Sequence, residues 1–270
     1  MTKTDGAAEP GPLMAGKRGL VMGVANDHSI AWGIARTLAA HGATLGFTYQ
    51  GDALQRRVEP LAASVGGAFV VQCDVENEAS LDTAFARASD EWGGLDFVVH
   101  SIAFSDKAEL QGRYVNTTRD NFARTMVISC YSLTTIARRA AELMADGGSL
   151  VTLTYDGSQR VMPSYNVMGV AKAALEASVR YLAADLGEHA IRVNAISAGP
   201  MRTLAGAAVK DARYLYRWTQ ENAPLRRNPS LDEVGNAGLY LLSDLSGGVT
   251  GEVHYVDGGY NIVGMCAPPR

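Results

Sequence analysis

Tyr155, Tyr165 and Lys172 combine two phenols and an ammonium at intervals that suit catalysis. Tyr165 stands seven positions before Lys172, inside an amphipathic stretch expected to be helical over 164–186. At about 3.6 residues per turn, seven positions bring both side chains to one helix face. A phenol so placed can donate a hydrogen bond to an oxygen on which negative charge is developing, and a nearby ammonium favours that charge. Tyr155 ends an expected strand ten positions earlier. The bland alternatives are a packing aromatic for Tyr155 and a polar pair on an interface helix for Tyr165 and Lys172.

A second constellation follows the first apolar run: Gly23-Val-Ala-Asn-Asp-His-Ser29-Ile30-Ala-Trp-Gly33, then a helical pattern. A glycine at the strand end permits a tight turn, and the helix N-terminus offers N–H groups to a pyrophosphate. Gly33 is expected to let helix and strand approach, and Asp27 to point outward. The alternative is a plain turn with Ser29 as helix cap. The second strand ends at Tyr49-Gln50. Glutamine can bond a ribose hydroxyl but cannot neutralise a 2′-phosphate, which favours NADH over NADPH. Arg56 and Arg57 read as a solvated face. The third strand ends at Asp74-Val75, where a carboxylate and the next N–H suit an adenine edge; the alternative is an aspartate helix cap.

Strand-like and helix-like segments alternate along the chain and carry these residues. Strands are expected over 19–22, 44–49, 68–72, 95–100, 149–154, 191–196 and 253–256, and helices over 30–40, 53–64, 79–92, 119–144, 164–186 and 231–242. The strands are continuous apolar runs, as in a parallel sheet covered by helices on both faces. The fold class is therefore α/β: one doubly wound, seven-stranded Rossmann domain, whose ligands sit at the carboxyl edge. Two connections, 104–118 and 199–229, interrupt the alternation at that edge, and the second reads as a substrate lid. Residues 1–14 and 266–270 are expected to be tails around a catalytic domain over 15–265.

Composition limits the function classes. Of 270 residues, 47% are hydrophobic and 19% charged, with a net charge of −4, so no global positive field collects nucleic acid. Cys73, Cys130 and Cys266 lack the number and spacing of a disulfide framework or zinc site. His28, His41, His100, His189 and His254 form no ligand pair and read as surface or packing residues, so no metal is assigned. No apolar run approaches the roughly 18 to 20 residues that span a membrane, and a cytoplasmic location is expected.

The segment Tyr155-x9-Tyr165-x6-Lys172, with Asn194-Ala-Ile-Ser-Ala-Gly-Pro-Met201-Arg-Thr203 and Val256-Asp-Gly-Gly259, resembles the short-chain dehydrogenase/reductase superfamily. Within it the chain is similar to the NADH-dependent enoyl-acyl-carrier-protein reductases of bacterial fatty-acid synthesis, from about Ala15 to Met265. The resemblance implies hydride delivery to the β-carbon of an enoyl thioester, with Tyr165 as donor to the enolate oxygen. Ketone reductases of the superfamily place their acid four positions before the lysine, which here is Met168. The enoyl oxygen lies further from the carbon that takes the hydride, which suits Tyr165. By the same resemblance Lys172 binds the nicotinamide ribose, Tyr155 and Ser105 border the substrate, and Ser29 and Ile30 meet the pyrophosphate. Ile102, Met201, Arg202, Thr203, Leu204 and Ala205 line the nicotinamide and phosphates, beside Gly23, Gln50, Asp74 and Val75. An acyl carrier protein is the implied partner and a homotetramer the implied assembly, with its usual faces on the helices over 119–144 and 164–186. Lys210, Arg213 and Arg217, at i, i+3 and i+7 of an expected helix, form a basic landing face for the carrier or a solvated one; Arg226 and Arg227 add to it. The rivals are a ketone or alcohol oxidoreductase of the superfamily, opposed by Met168, and a non-catalytic dinucleotide-binding protein, opposed by the retained Tyr155, Tyr165 and Lys172.

Overall fold

In the computed structural model, which describes residues 12–207 and 210–265, the apolar runs form seven strands: β1 Arg18–Met22, β2 Thr44–Tyr49, β3 Phe69–Gln72, β4 Phe97–His100, β5 Gly148–Thr154, β6 Ile191–Ala198 and β7 Val253–Val256. All pair in parallel, in the order β3-β2-β1-β4-β5-β6-β7. The helices are α1 Ile30–Ala40, α2 Asp52–Ser64, α3 Glu78–Trp92, α4 Arg119–Met126, α5 Ser132–Leu143, α6 Asn166–Leu186, α7 Leu204–Ala207, α8 Ala212–Asn222 and α9 Leu231–Leu242. Because successive strand residues face opposite sides, the sheet feeds two cores. Val21, Phe47, Val99 and Val151 pack with Ile34, Val58 and Val234 of α1, α2 and α9. Leu20, Val98, Leu150 and Val193 pack with Leu81, Leu133 and Leu175 of α3, α5 and α6. β1 and β4 are neighbours although two βα units separate them in sequence, and that reversal opens the carboxyl-edge crevice.

Local chemistry sets the element ends. Asn77 and Thr118 accept hydrogen bonds from the first turns of α3 and α4, and Ser230 with Glu233 forms a capping box on α9. The helix expected over 119–144 is broken by one π-helical turn, Val127–Tyr131. There Ser129 Oγ accepts from Phe104 N at 2.9 Å and donates to Phe104 O at 3.0 Å. The extra residue of the π turn thus serves the start of the 104–118 connection.

Three expectations need correction. The packed chain begins before residue 15: Met14 is fully buried and donates its N–H to His41 O at 2.9 Å. Gly33 serves helix against helix, since a Cβ there would meet Leu231 O of α9 at 2.9 Å. Across the same contact, a Cβ on Gly235 would meet Gly33 O at 2.7 Å. The connection over 199–229 contains α7 and α8, and Lys210 lies outside α8 in the turn ahead of it. Residues 1–11, 266–270 and Cys266 are outside the described residues.

Candidate active site

The loop expected to meet the dinucleotide starts at Gly23, whose φ of +100° and whose missing Cβ, otherwise 1.9 Å from Ser101 O, exclude other residues. Ser29 ends the loop, but its side chain does not cap α1. Its hydroxyl accepts from Ala25 N and Asn26 N, both at 3.0 Å, and so holds the loop in shape. The first turn of α1 is left without a side-chain cap or an acidic residue, which suits an anion. Asp27 is exposed beside the His28 ring. Ile30 and Met201 lie partly buried against one core, Val75 and Ile102 against the other.

At the ends of β2 and β3 the two residues expected on the adenosine side meet, with Gln50 Nε2 3.3 Å from Asp74 Oδ2. Asp74 does not cap α3, a task Asn77 performs; its carboxylate accepts from Glu76 N at 3.0 Å. Arg56 and Arg57 are exposed.

Tyr155 follows β5 and Tyr165 precedes α6, so Tyr165 is not inside the helix as expected. Their rings meet edge to face with centroids 5.2 Å apart. Gly157 makes room for this pair: a Cβ there would lie 2.5 Å from the Tyr165 ring. Gly169, one turn into α6, lets Gly157 O approach, its own Cβ position being 2.7 Å from that oxygen. Burial pushes the Tyr165 hydroxyl well above the usual phenol range, with Tyr155 adding to the rise. Tyr155 is raised by burial and by Asp156. Tyr165 rests on a small apolar cluster of Leu110, Val167, Met168 and Ala171. Met168 therefore offers packing where a ketone reductase would offer a hydroxyl.

Lys172 is buried, and its ammonium donates to Leu153 O at 2.6 Å. Burial lowers its pKa from 10.5 to about 8, against the opposing pull of Cys130 and Glu176. One turn further along α6, the buried Glu176 carboxylate accepts from Thr154 Oγ1 at 2.6 Å, Ser158 Oγ at 2.5 Å and Gln159 Nε2 at 2.7 Å. It ties the turn that carries Tyr155 to the helix that carries Lys172. His100, fully buried, bonds Thr152 Oγ1 at 2.7 Å and Ser132 Oγ at 2.8 Å.

Ser105 turns its hydroxyl toward α4, where it accepts from Thr125 Oγ1 at 3.0 Å and Asn121 Nδ2 at 3.2 Å. Thr203 Oγ1 accepts from Gly206 N at 2.9 Å, capping α7, which Leu204 and Ala205 begin. Arg202 lies over the Tyr216 ring, 5.0 Å from its centroid. Arg213 and Arg217 are exposed on α8. Arg227 is paired with Glu233 and Arg226 donates to Glu221 O, so neither is free to extend the basic face. Sequence reasoning missed Gly157, Glu176 and Asn166. A glycine inside a helix, Gly169, was the available signal that something packs close there.

Comparison with known proteins agrees with this geometry. The family model described as enoyl-(acyl carrier protein) reductase matches residues 23–261. The enoyl-acyl-carrier-protein reductase (NADH) 2 of Rhizobium meliloti is 68% identical over 253 residues, covering 94% of each chain. The FabI enoyl-acyl-carrier-protein reductase (NADH) of Rickettsia felis is 54% identical, covering 93% of this chain and 97% of its own. Among solved structures, the FabI of Candidatus Liberibacter asiaticus superposes with a TM-score of 0.93 at 58% identity, covering 96% of this chain and 100% of its own. An Anaplasma phagocytophilum reductase in complex with NAD gives 0.93 at 56% identity, covering 96% and 99%. The chain, with Tyr155 against Tyr165 and a buried Lys172 in a doubly wound parallel sheet fold, belongs to the enoyl-acyl-carrier-protein reductase family.

Proposed function

We infer that this chain is an NADH-dependent oxidoreductase that reduces the trans-2 double bond of enoyl thioesters on acyl carrier protein, a step of fatty-acid elongation. Bound NADH supplies the hydride to the β-carbon. The uncapped first turn of α1 beyond Gly23, with Ser29 and Ile30, suits the pyrophosphate. Gln50 faces the adenosine ribose; Asp74 and Val75 hold the adenine edge. Ile102 and the segment Met201 to Ala205 line the remainder, including Arg202, Thr203 and Leu204.

Tyr165 donates its hydroxyl hydrogen bond to the thioester oxygen as negative charge collects there, and the enolate then takes a proton from water at the α-carbon to give the saturated thioester. Its burial keeps the phenol protonated, so it is a donor throughout the working pH range. Such a donor contributes about 3 kcal/mol of transition-state stabilisation. Lys172 holds the nicotinamide ribose hydroxyls and keeps positive charge behind Tyr165. Tyr155 borders the acyl chain and steadies Tyr165 through the ring contact. Ser105, tied to Asn121 and Thr125, shapes the substrate side without offering a free hydroxyl.

One observation carries the choice of reaction: Met168 is buried in the cluster under Tyr165, four positions before Lys172. No hydroxyl stands there to protonate a ketone oxygen. NADH consumption with a trans-2-enoyl thioester beside a β-ketoacyl thioester tests this. Turnover of the enoyl substrate alone is expected, and Tyr165→Phe should cut its kcat by about 100-fold. Preferential ketone reduction overturns the reaction assignment, and unchanged turnover of Tyr165→Phe overturns the donor.

The connection over 199–229, with α7 and α8, serves as the substrate lid, and Lys210, Arg213 and Arg217 as the face that meets the acidic carrier. Four copies assemble through two apolar faces of each subunit. The enzyme works in the cytoplasm; no helix of the described residues is long and apolar enough to cross a membrane.

A further inference from the structure

The backbone on both sides of Tyr165 is left-handed: Ser164 has φ +56° and Asn166 φ +40°. Residues other than glycine adopt this region at a steric cost, and it persists where surrounding contacts over-determine it. Here each flanking side chain reaches one of the two connections that frame the site. Ser164 Oγ donates to Asp211 Oδ2 at 2.5 Å, just ahead of α8. Asn166 Nδ2 lies 3.3, 3.2 and 3.3 Å from the carbonyl oxygens of Glu109, Leu110 and Gly112, so its two N–H groups are shared among three acceptors of the 104–118 connection. Leu110, in the middle of that turn, is buried in the cluster on which Tyr165 rests. Tyr165 itself has no side-chain hydrogen bond among the described residues. Its aim is set by its backbone, by the Tyr155 ring and by what lies beneath it.

We propose that Asn166 is a positioning residue for Tyr165: by fastening the 109–112 turn to the start of α6, it sets the direction in which the Tyr165 hydroxyl points. The inference rests on Tyr165 as the oxyanion donor. Asparagine combines two properties needed here, tolerance of left-handed backbone and a pair of amide donors. Glycine has only the first, and aspartate would turn a carboxylate toward three carbonyl oxygens. The 104–118 connection thereby acts on the chemistry without touching the reacting atoms, because a small misdirection of a donor is costly in rate.

The test is a double-mutant cycle read by steady-state kinetics and NADH titration on Asn166→Gly, Asn166→Asp, Tyr165→Phe and the pair Tyr165→Phe with Asn166→Gly. Asn166→Gly keeps the backbone and loses the amide, so kcat should fall roughly tenfold while the NADH Kd stays within about twofold. Asn166→Asp should lose at least as much kcat. The double variant should be no slower than Tyr165→Phe alone, since nothing remains to be aimed. Wild-type kcat in Asn166→Gly overturns the proposal, as does a parallel loss of kcat and NADH affinity. A slow Tyr165→Phe with a fully multiplicative loss in the double variant sinks the positioning role alone. A fast Tyr165→Phe sinks the donor assignment and this inference with it.

Discussion

At the residue scale, burial decides protonation. His100 sits between Thr152 and Ser132, and Ser132 gives its own proton to Ile128 O at 2.6 Å. Ser132 can then only accept from His100 Nε2–H, which leaves Nδ1 to accept from Thr152; the ring is neutral. Burial, helped by the nearby Lys172 charge, lowers its pKa from 6.5 to about 3. Lys172 is the more consequential group. Its folded-state value is lowered to about 8, so its ammonium is present below that pH and lost as pH rises through it. If the ammonium holds the ribose, NADH affinity should be flat from pH 6 to 7.5 and weaken above 8, by up to about tenfold at pH 9. Lys172→Arg, whose guanidinium stays protonated, should remove that alkaline limb. Fluorescence titration of NADH across pH checks this, and a flat wild-type profile to pH 9.5 would refute the role.

At the element scale, helix ends and breaks do the positioning. The π turn between α4 and α5 brings Ser129 to Phe104, and Gly157 against Gly169 seats the turn after β5 on α6. On α8, Arg213 and Arg217 are one turn apart and exposed, with Lys210 in the turn ahead of them. Rim charges of this kind act on encounter and are screened by salt. Lys210→Glu with Arg213→Glu should raise KM for the carrier-linked enoyl substrate several-fold at low salt, with a smaller effect at high salt. An N-acetylcysteamine thioester should keep its KM. Equal losses on both substrates would mean that these residues shape the lid or pocket and do not dock the carrier.

At the scale of the whole molecule, two apolar faces stay open. One lies on α4, the π turn that follows it and α6, where Phe122, Val127, Tyr131, Val170 and Tyr181 are exposed, Tyr181 at 75%. The other lies by α9 and β7, with Tyr240, Leu245, Tyr255 and Ile262. β7 is also an end of the sheet, and a bare strand edge invites pairing. Two separate self-complementary faces are what a tetramer with three perpendicular two-fold axes needs. Light scattering should give about four times the 28.6 kDa chain mass. Tyr181→Glu with Tyr131→Glu should reduce it to a dimer, whereas a monomer for the unmodified chain would refute the assembly.

The sheet is legible in the chain's residues alone, because a strand buried on both faces must be apolar throughout, and 44–49 and 253–256 match β2 and β7 to the residue. The sequence also placed Gly23 and Tyr155 at strand ends and Lys172 within the helix that follows, since spacing along a regular element is a local property. What touches them is set by contacts that form when the chain folds. Gly33 packs on Leu231, nearly two hundred positions away, and Ser29 spends its hydroxyl on the loop instead of the helix. Tyr165 stands outside the helix that periodicity assigned it to, because left-handed backbone at Ser164 and Asn166 depends on partners at Asp211 and in the 109–112 turn. Such partners are distant in sequence and meet only when the chain closes, so no window of neighbouring residues could reveal them.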